Sequence, residues 1–137
     1  MNEASQATST SLTGRVVIVT GAGKGIGRAV SLQLASRGAL VMINNRRHLG
    51  EEDEQTSAAQ VVAMIRAQGG QALANHDDAL DPDAGARMVA QAMNAWGRLD
   101  MVYANAAVAQ QAAFHTLSLN ELRLSQFSKE SNGGCSR

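Results

Sequence analysis

Gly21, Gly25 and Gly27 follow the apolar run Val16-Val17-Ile18-Val19 with the spacing G-x-x-x-G-x-G. Residues of these types in this order could hold phosphate. A β-branched run suits a strand covered on both faces. A glycine at its end permits a tight turn, a second lets an anion approach the backbone, and a third lets the next helix pack close to the sheet. The first free N–H groups of that helix, aided by its dipole, then point at the anion. In a strand–loop–helix context the pattern predicts a dinucleotide phosphate site. The competing reading is a glycine-rich turn that only connects a strand to a helix.

The elements that would position this loop are legible as an alternation of short β-branched runs and longer helical stretches. Strand one is expected over about Arg15–Thr20 and the first helix over about Ile26–Arg37, stopped by Gly38. Strand two falls at about Leu40–Asn44. A polar loop follows, with the acidic run Glu51-Glu52-Asp53-Glu54. Thr56 or Ser57 caps a second helix to about Ala67, with Val61, Val62 and Ile65 inward, and Gly69-Gly70 ends it. Strand three is expected over about Gln71–His76. Asp81 as N-cap and Pro82 as first helical residue predict a third helix to about Trp96, with Met88, Val89, Ala92 and Met93 on one face. Strand four follows at about Leu99–Ala104, as a buried parallel strand with Tyr103 as a core aromatic. This order, βαβαβαβ with short connections, argues for a parallel sheet with helices on both faces and right-handed crossovers.

Bulk properties bound the function. The 137 residues carry 12 basic and 12 acidic side chains, so the formal net charge is zero. That favours neither a nucleic-acid nor an anionic-membrane partner. Aromatic content of 3% disfavours a platform for stacking bases. No apolar run approaches the roughly 20 residues that span a bilayer. Residues 1–11 read as a disordered leader rather than a secretory signal, and 125–137 as a polar tail. One cysteine, Cys135, allows no internal disulfide, and a reducing cytoplasm is the default. His48, His76 and His115 show no metal-ligand spacing, so no metal site is expected.

Thr20-Gly21-Ala22-Gly23-Lys24-Gly25-Ile26-Gly27 resembles the T-G-x-x-x-G-I-G signature of the short-chain dehydrogenase/reductase family. The resemblance runs from about Leu12 to about Leu124. It implies an α/β fold, a Rossmann-type doubly wound parallel sheet, here expected to be truncated after the fourth strand. It also implies NAD(P)-dependent hydride transfer between a nicotinamide and an alcohol or carbonyl. The cofactor-binding residues implied are Gly21, Gly23, Lys24, Gly25, Ile26 and Gly27 in the loop, with Asn45 and Arg46 after strand two. Asp78 resembles the family's adenine-contacting aspartate, and Asn105-Ala106 retains part of an Asn-Asn-Ala-Gly motif that lines the cofactor ribose. Ala104 and Ala107 depart from that motif.

Strand two ends Ile43-Asn44-Asn45-Arg46-Arg47, with no carboxylate where an NAD site would bind the ribose hydroxyls. Guanidinium groups suit phosphate. A basic residue at that position goes with NADP preference in the family, so NADP(H) is favoured over NAD(H). The competing reading pairs Arg46 and Arg47 with Glu51–Glu54 as a solvated loop.

The family's chemistry needs a Tyr, a Lys four residues later, and a Ser about a dozen residues earlier, for acid–base catalysis with electrostatic help. Tyr103, the one tyrosine, is followed four residues later by Ala107, so no catalytic residue is assigned. The stretch Asn44–Asp78 is similar to members acting on 3-hydroxyacyl-type substrates. Family members are often dimers or tetramers, so a homo-oligomer is open to the complete fold. Two other classes stand beside the oxidoreductase reading: a non-catalytic nucleotide-binding or interaction module, and an inactive fragment.

Overall fold

A computed structural model describes residues 11–106. The expected leader up to residue 10, Ala107, His115, Cys135 and the tail over 125–137 lie outside the described residues. The described elements run β1 (Val16–Val19), α1 (Gly25–Ser36), β2 (Leu40–Asn44), a 3-10 turn (Asp53–Gln55), α2 (Ser57–Ala67), β3 (Gln71–Asn75), α3 (Ala84–Trp96) and β4 (Met101–Tyr103). The strands form one sheet in the order β3-β2-β1-β4, and every neighbouring pair is parallel.

Alternation along the strands builds two cores. Val17, Val19, Val41 and Ile43 face one way and pack with Ala58, Val61, Val62 and Ile65 of α2, with Leu32, Leu34 and Ala35 of α1 at the margin. Val16, Ile18 and Met42 face the other way, onto Ala84, Met88 and Ala92 of α3. Successive strand residues point to opposite faces, so β1 is apolar at every position. Each fully buried Val or Ile contributes about 1.5–3 kcal/mol. α1 and α2 share a face because both crossovers move the chain outward from β1. α3 lies on the other face because its crossover returns the chain past β1 to β4, and right-handed connections then demand the opposite side.

Three expectations are corrected. α3 begins at Ala84 with Asp83 at its N-cap, not at Pro82. The Asp81 carboxylate instead accepts the Asp83 N–H at 2.9 Å in the preceding turn. On α3, Met88 and Ala92 are buried, whereas Val89 and Met93 are exposed. Tyr103 is 37% exposed, with Met101 and Val102 more so. Among the described residues β4 has a neighbour on one side only, so a run that reads as a buried strand here borders the sheet.

Candidate functional site

The chain reverses direction across the sheet between β1 and β4, and the loops after these strands meet at their carboxyl ends. In open parallel sheets this switch point is where a crevice forms. Thr20 organises it. Its backbone N–H donates to the Tyr103 carbonyl at 3.1 Å. Its Oγ1 accepts from the N–H groups of Asn105 at 3.0 Å and Ala106 at 3.1 Å. The Asn105 side-chain amide donates back to the Gly21 carbonyl at 3.3 Å.

Close approach fixes two of the glycines. A Cβ on Gly21 would stand 2.8 Å from the Ala106 Cα, and one on Gly27 would stand 2.6 Å from both Asn105 Nδ2 and the Gly21 carbonyl oxygen. Gly21, Gly27, Asn105 and Ala106 therefore form one packed junction. Gly23 is buried against Asn45, whose Cγ a Cβ on Gly23 would meet at 2.7 Å, and against Ser57 at the start of α2. The Ala22 N–H donates to the Asn44 carbonyl at 2.8 Å, tying the loop to the end of β2.

Gly25 differs from these. It sits at φ +61°, and among the described residues no atom outside its own chain neighbours and helix backbone lies within 4 Å of where a Cβ would stand. It opens α1, whose N-cap Lys24 is extended and makes no side-chain cap, with no acidic residue in the first turn. The first N–H groups of α1 have no partner within the helix. An open cradle, uncapped donors and the positive end of a helix fit the pyrophosphate of a dinucleotide. Ile26 follows with its side chain 70% exposed beside this cradle.

At the end of β2 the two arginines part company. Arg47 forms an ion pair with Asp53, which is the competing reading for that residue. Arg46 is exposed and makes no ion pair among the described residues, and the same holds for Lys24. Asn45 is held by its N–H to the Asn75 carbonyl at 3.0 Å.

A polar network that the sequence reading did not anticipate supports the β3 side. Asn44 and Asn75 are buried register partners at the ends of β2 and β3. Asn44 Nδ2 donates to Asn75 Oδ1 at 2.7 Å and to the Asp77 carbonyl at 2.9 Å. Asn75 Nδ2 donates to Asp77 Oδ2 at 2.9 Å and to Gln91 Oε1 of α3 at 2.8 Å. The Asn75 hydrogen bond, with help from Arg87, holds the Asp77 carboxyl below the usual carboxylate range. Asp78 is exposed and its Oδ1 accepts the Leu80 N–H at 2.9 Å. The available signal was two adjacent strands both ending in asparagine, a residue that is buried only when its amide is satisfied.

The opposite, amino end of the sheet holds a cleft of about 390 Å³ between the ends of α1 and α2, lined by residues including Ala35, Leu40, Ile65 and Gln71. Its described lining carries no titratable side chain, and its one hydroxyl, Ser36 Oγ, donates to the Gln33 carbonyl at 2.7 Å. Among the described residues no cluster of His, Cys, Asp and Glu could hold a metal ion, and no helix is long and apolar enough to cross a membrane.

The fold and this junction define a doubly wound α/β protein of the dinucleotide-binding type. Residues 15–126 match the family model for short chain dehydrogenase, and the chain belongs to that family. Mouse peroxisomal multifunctional enzyme type 2 is 43% identical over 110 residues, which are 77% of this chain and 14% of that protein. A short chain dehydrogenase from Mycobacterium avium superposes with a TM-score of 0.77 at 32% identity, covering 90% of this chain and 46% of that one. A metagenomic short-chain oxidoreductase in complex with NADP gives a TM-score of 0.74 at 30% identity, covering 90% of this chain and 55% of that one. The chain thus spans about half the length of these solved relatives and a smaller share of the mouse protein.

Proposed function

We propose that this chain binds a nicotinamide dinucleotide at the β1–β4 switch point, as the cofactor-binding portion of an oxidoreductase acting on an alcohol or carbonyl. The observation that carries the reading is Gly25, a positive-φ glycine with open space beside it among the described residues, at the uncapped start of α1. When bound, the nicotinamide gives or accepts a hydride. The residues described here bind and orient. The N–H groups at the start of α1 hold the pyrophosphate, Ile26 offers an apolar ledge, and Asn105 and Ala106 border the ribose side. Asp78 faces the adenine. Gly23 lets the loop seat against Asn45.

NADP(H) is the preferred form in this reading. No carboxylate ends β2, and Arg46 stands exposed there with no acidic neighbour engaged, while Arg47 is occupied by Asp53. The likeness to a structure in complex with NADP supports the same choice. The similarity of Asn44–Asp78 to family members acting on 3-hydroxyacyl-type substrates supports that substrate class. Titration of the full chain with NADPH and NADH, followed by nucleotide fluorescence, tests the reading. Saturable binding with NADPH the tighter supports it, and tighter NADH overturns the preference.

A further inference from the structure

Arg87 lies in the first turn of α3, and its guanidinium spans two carboxylates of the preceding loop. Nε donates to Asp77 Oδ1 at 2.8 Å and Nη2 donates to Asp81 Oδ2 at 2.7 Å. These two aspartates bracket Asp78, one residue before it and three after it. Asp77 is further held from the sheet side. Its N–H donates to Asn75 Oδ1 at 3.0 Å, and its carbonyl accepts from Asn44 Nδ2 at 2.9 Å. The Asp81 N–H donates to the Asp78 carbonyl at 2.9 Å, closing the turn. One side chain therefore gathers both ends of the Asp77–Asp81 loop, while Asp78 at its crest stays exposed.

We propose that Arg87 is the positioning residue of the adenine-facing loop: by clamping Asp77 and Asp81 together it fixes where Asp78 stands, without touching the nucleotide. This rests on the dinucleotide reading above. The planar fork of an arginine can engage two carboxylates at once, whereas a lysine ammonium is a point charge on a flexible stem. The guanidinium is also half exposed, and ion pairs of that kind add little to global stability. Their effect here is local. A free loop would have to be ordered at the moment of binding, and that cost falls on affinity. The hydrogen bonds from Arg87 raise its own proton affinity and lower that of Asp81, so the clamp stays charged through the neutral range.

The test uses the full chain as wild type, Arg87→Met and Arg87→Lys, with two probes titrated by calorimetry. 2′,5′-ADP reads the adenine end, and inorganic pyrophosphate reads the glycine loop. Affinity of Arg87→Met for 2′,5′-ADP is expected to fall about tenfold, the scale of one mispositioned polar contact. Arg87→Lys should lose nearly as much, because one ammonium cannot hold both carboxylates. Pyrophosphate affinity should change by less than about twofold, since distant sites act independently. Amide exchange at Leu80 and Asp83 should accelerate in Arg87→Met while the melting temperature holds. Unchanged 2′,5′-ADP affinity, or equal loss for both probes, overturns the positioning role. Failure of the wild type to bind either probe overturns the cofactor reading itself, and the exchange rate at Leu80 separates that failure from a failure of the clamp.

Discussion

Thr20 Oγ1 accepts the backbone N–H of Asn105 at 3.0 Å across 85 residues of sequence, and this bond joins the ends of β1 and β4 at the switch point. Thr20 is only 7% exposed, so water cannot readily replace it. Thr20→Val keeps the shape and removes the acceptor. It should cost about 1–3 kcal/mol, the penalty of leaving a buried donor unpaired. Thr20→Ser should retain most of the stability. Urea denaturation of the three proteins measures the difference.

Gly25 and Gly27 should respond differently to the same added methyl. Gly27→Ala drives a Cβ to 2.6 Å from Asn105 Nδ2 and the Gly21 carbonyl oxygen, so it should lose about 1–3 kcal/mol by overpacking. Gly25→Ala meets no neighbouring atom among the described residues and incurs the left-handed backbone penalty of about 1–2 kcal/mol. Its Cβ nevertheless fills the cradle, so nucleotide affinity should fall more than stability. Paired melting and NADPH titrations give both numbers for each variant.

Arg46 and Arg47 are neighbours in sequence, yet only Arg47 is engaged by Asp53. Arg46→Ala should therefore weaken NADPH binding about tenfold and leave NADH nearly unchanged, as loss of one charge-assisted phosphate contact. Arg47→Ala should discriminate between the two nucleotides far less. Equal effects of Arg46→Ala on both would remove this residue from the 2′-phosphate role.

Asp100 ties the starts of β1 and β4. Its carboxylate accepts from Arg98, from the Val16 N–H at 2.8 Å and from Arg15, and these bonds hold its pKa well below the usual carboxylate range. A depressed folded value means that the stabilisation is fully present above the unfolded value, about 3.9, and is lost as pH falls toward the folded value. Wild-type stability should decline on acidification below about pH 4, and Asp100→Asn should flatten that part of the profile. Urea midpoints between neutral and acid pH check the sign.

Much of this fold was legible because continuous apolar runs and glycine punctuation are local signals. The runs Val16–Val19 and Leu40–Asn44, the Thr56 cap and the stops at Gly38 and Gly69 all depend on near neighbours in the chain. The glycine loop was legible for the same reason. The start of α3 was misplaced because Asp81-Pro82 serves equally well in a turn, where the Asp81 carboxylate accepts from the Asp83 N–H and from Arg87. Tyr103 was misjudged because burial of a strand depends on what lies beside it in the sheet, which no single run encodes. The Asn44–Asn75–Asp77 network escaped notice because its members come together only through the β2–β3 register.

The most direct test of the central claim is to map amide chemical shifts of the full chain as NADP+ is added. The changes are expected to cluster at Gly21–Arg28, Asn45, Arg46, Asp78, Asn105 and Ala106, and to saturate. Saturable changes confined to the opposite cleft, around Ala35, Leu40 and Gln71, or no saturable change at all, would contradict that claim.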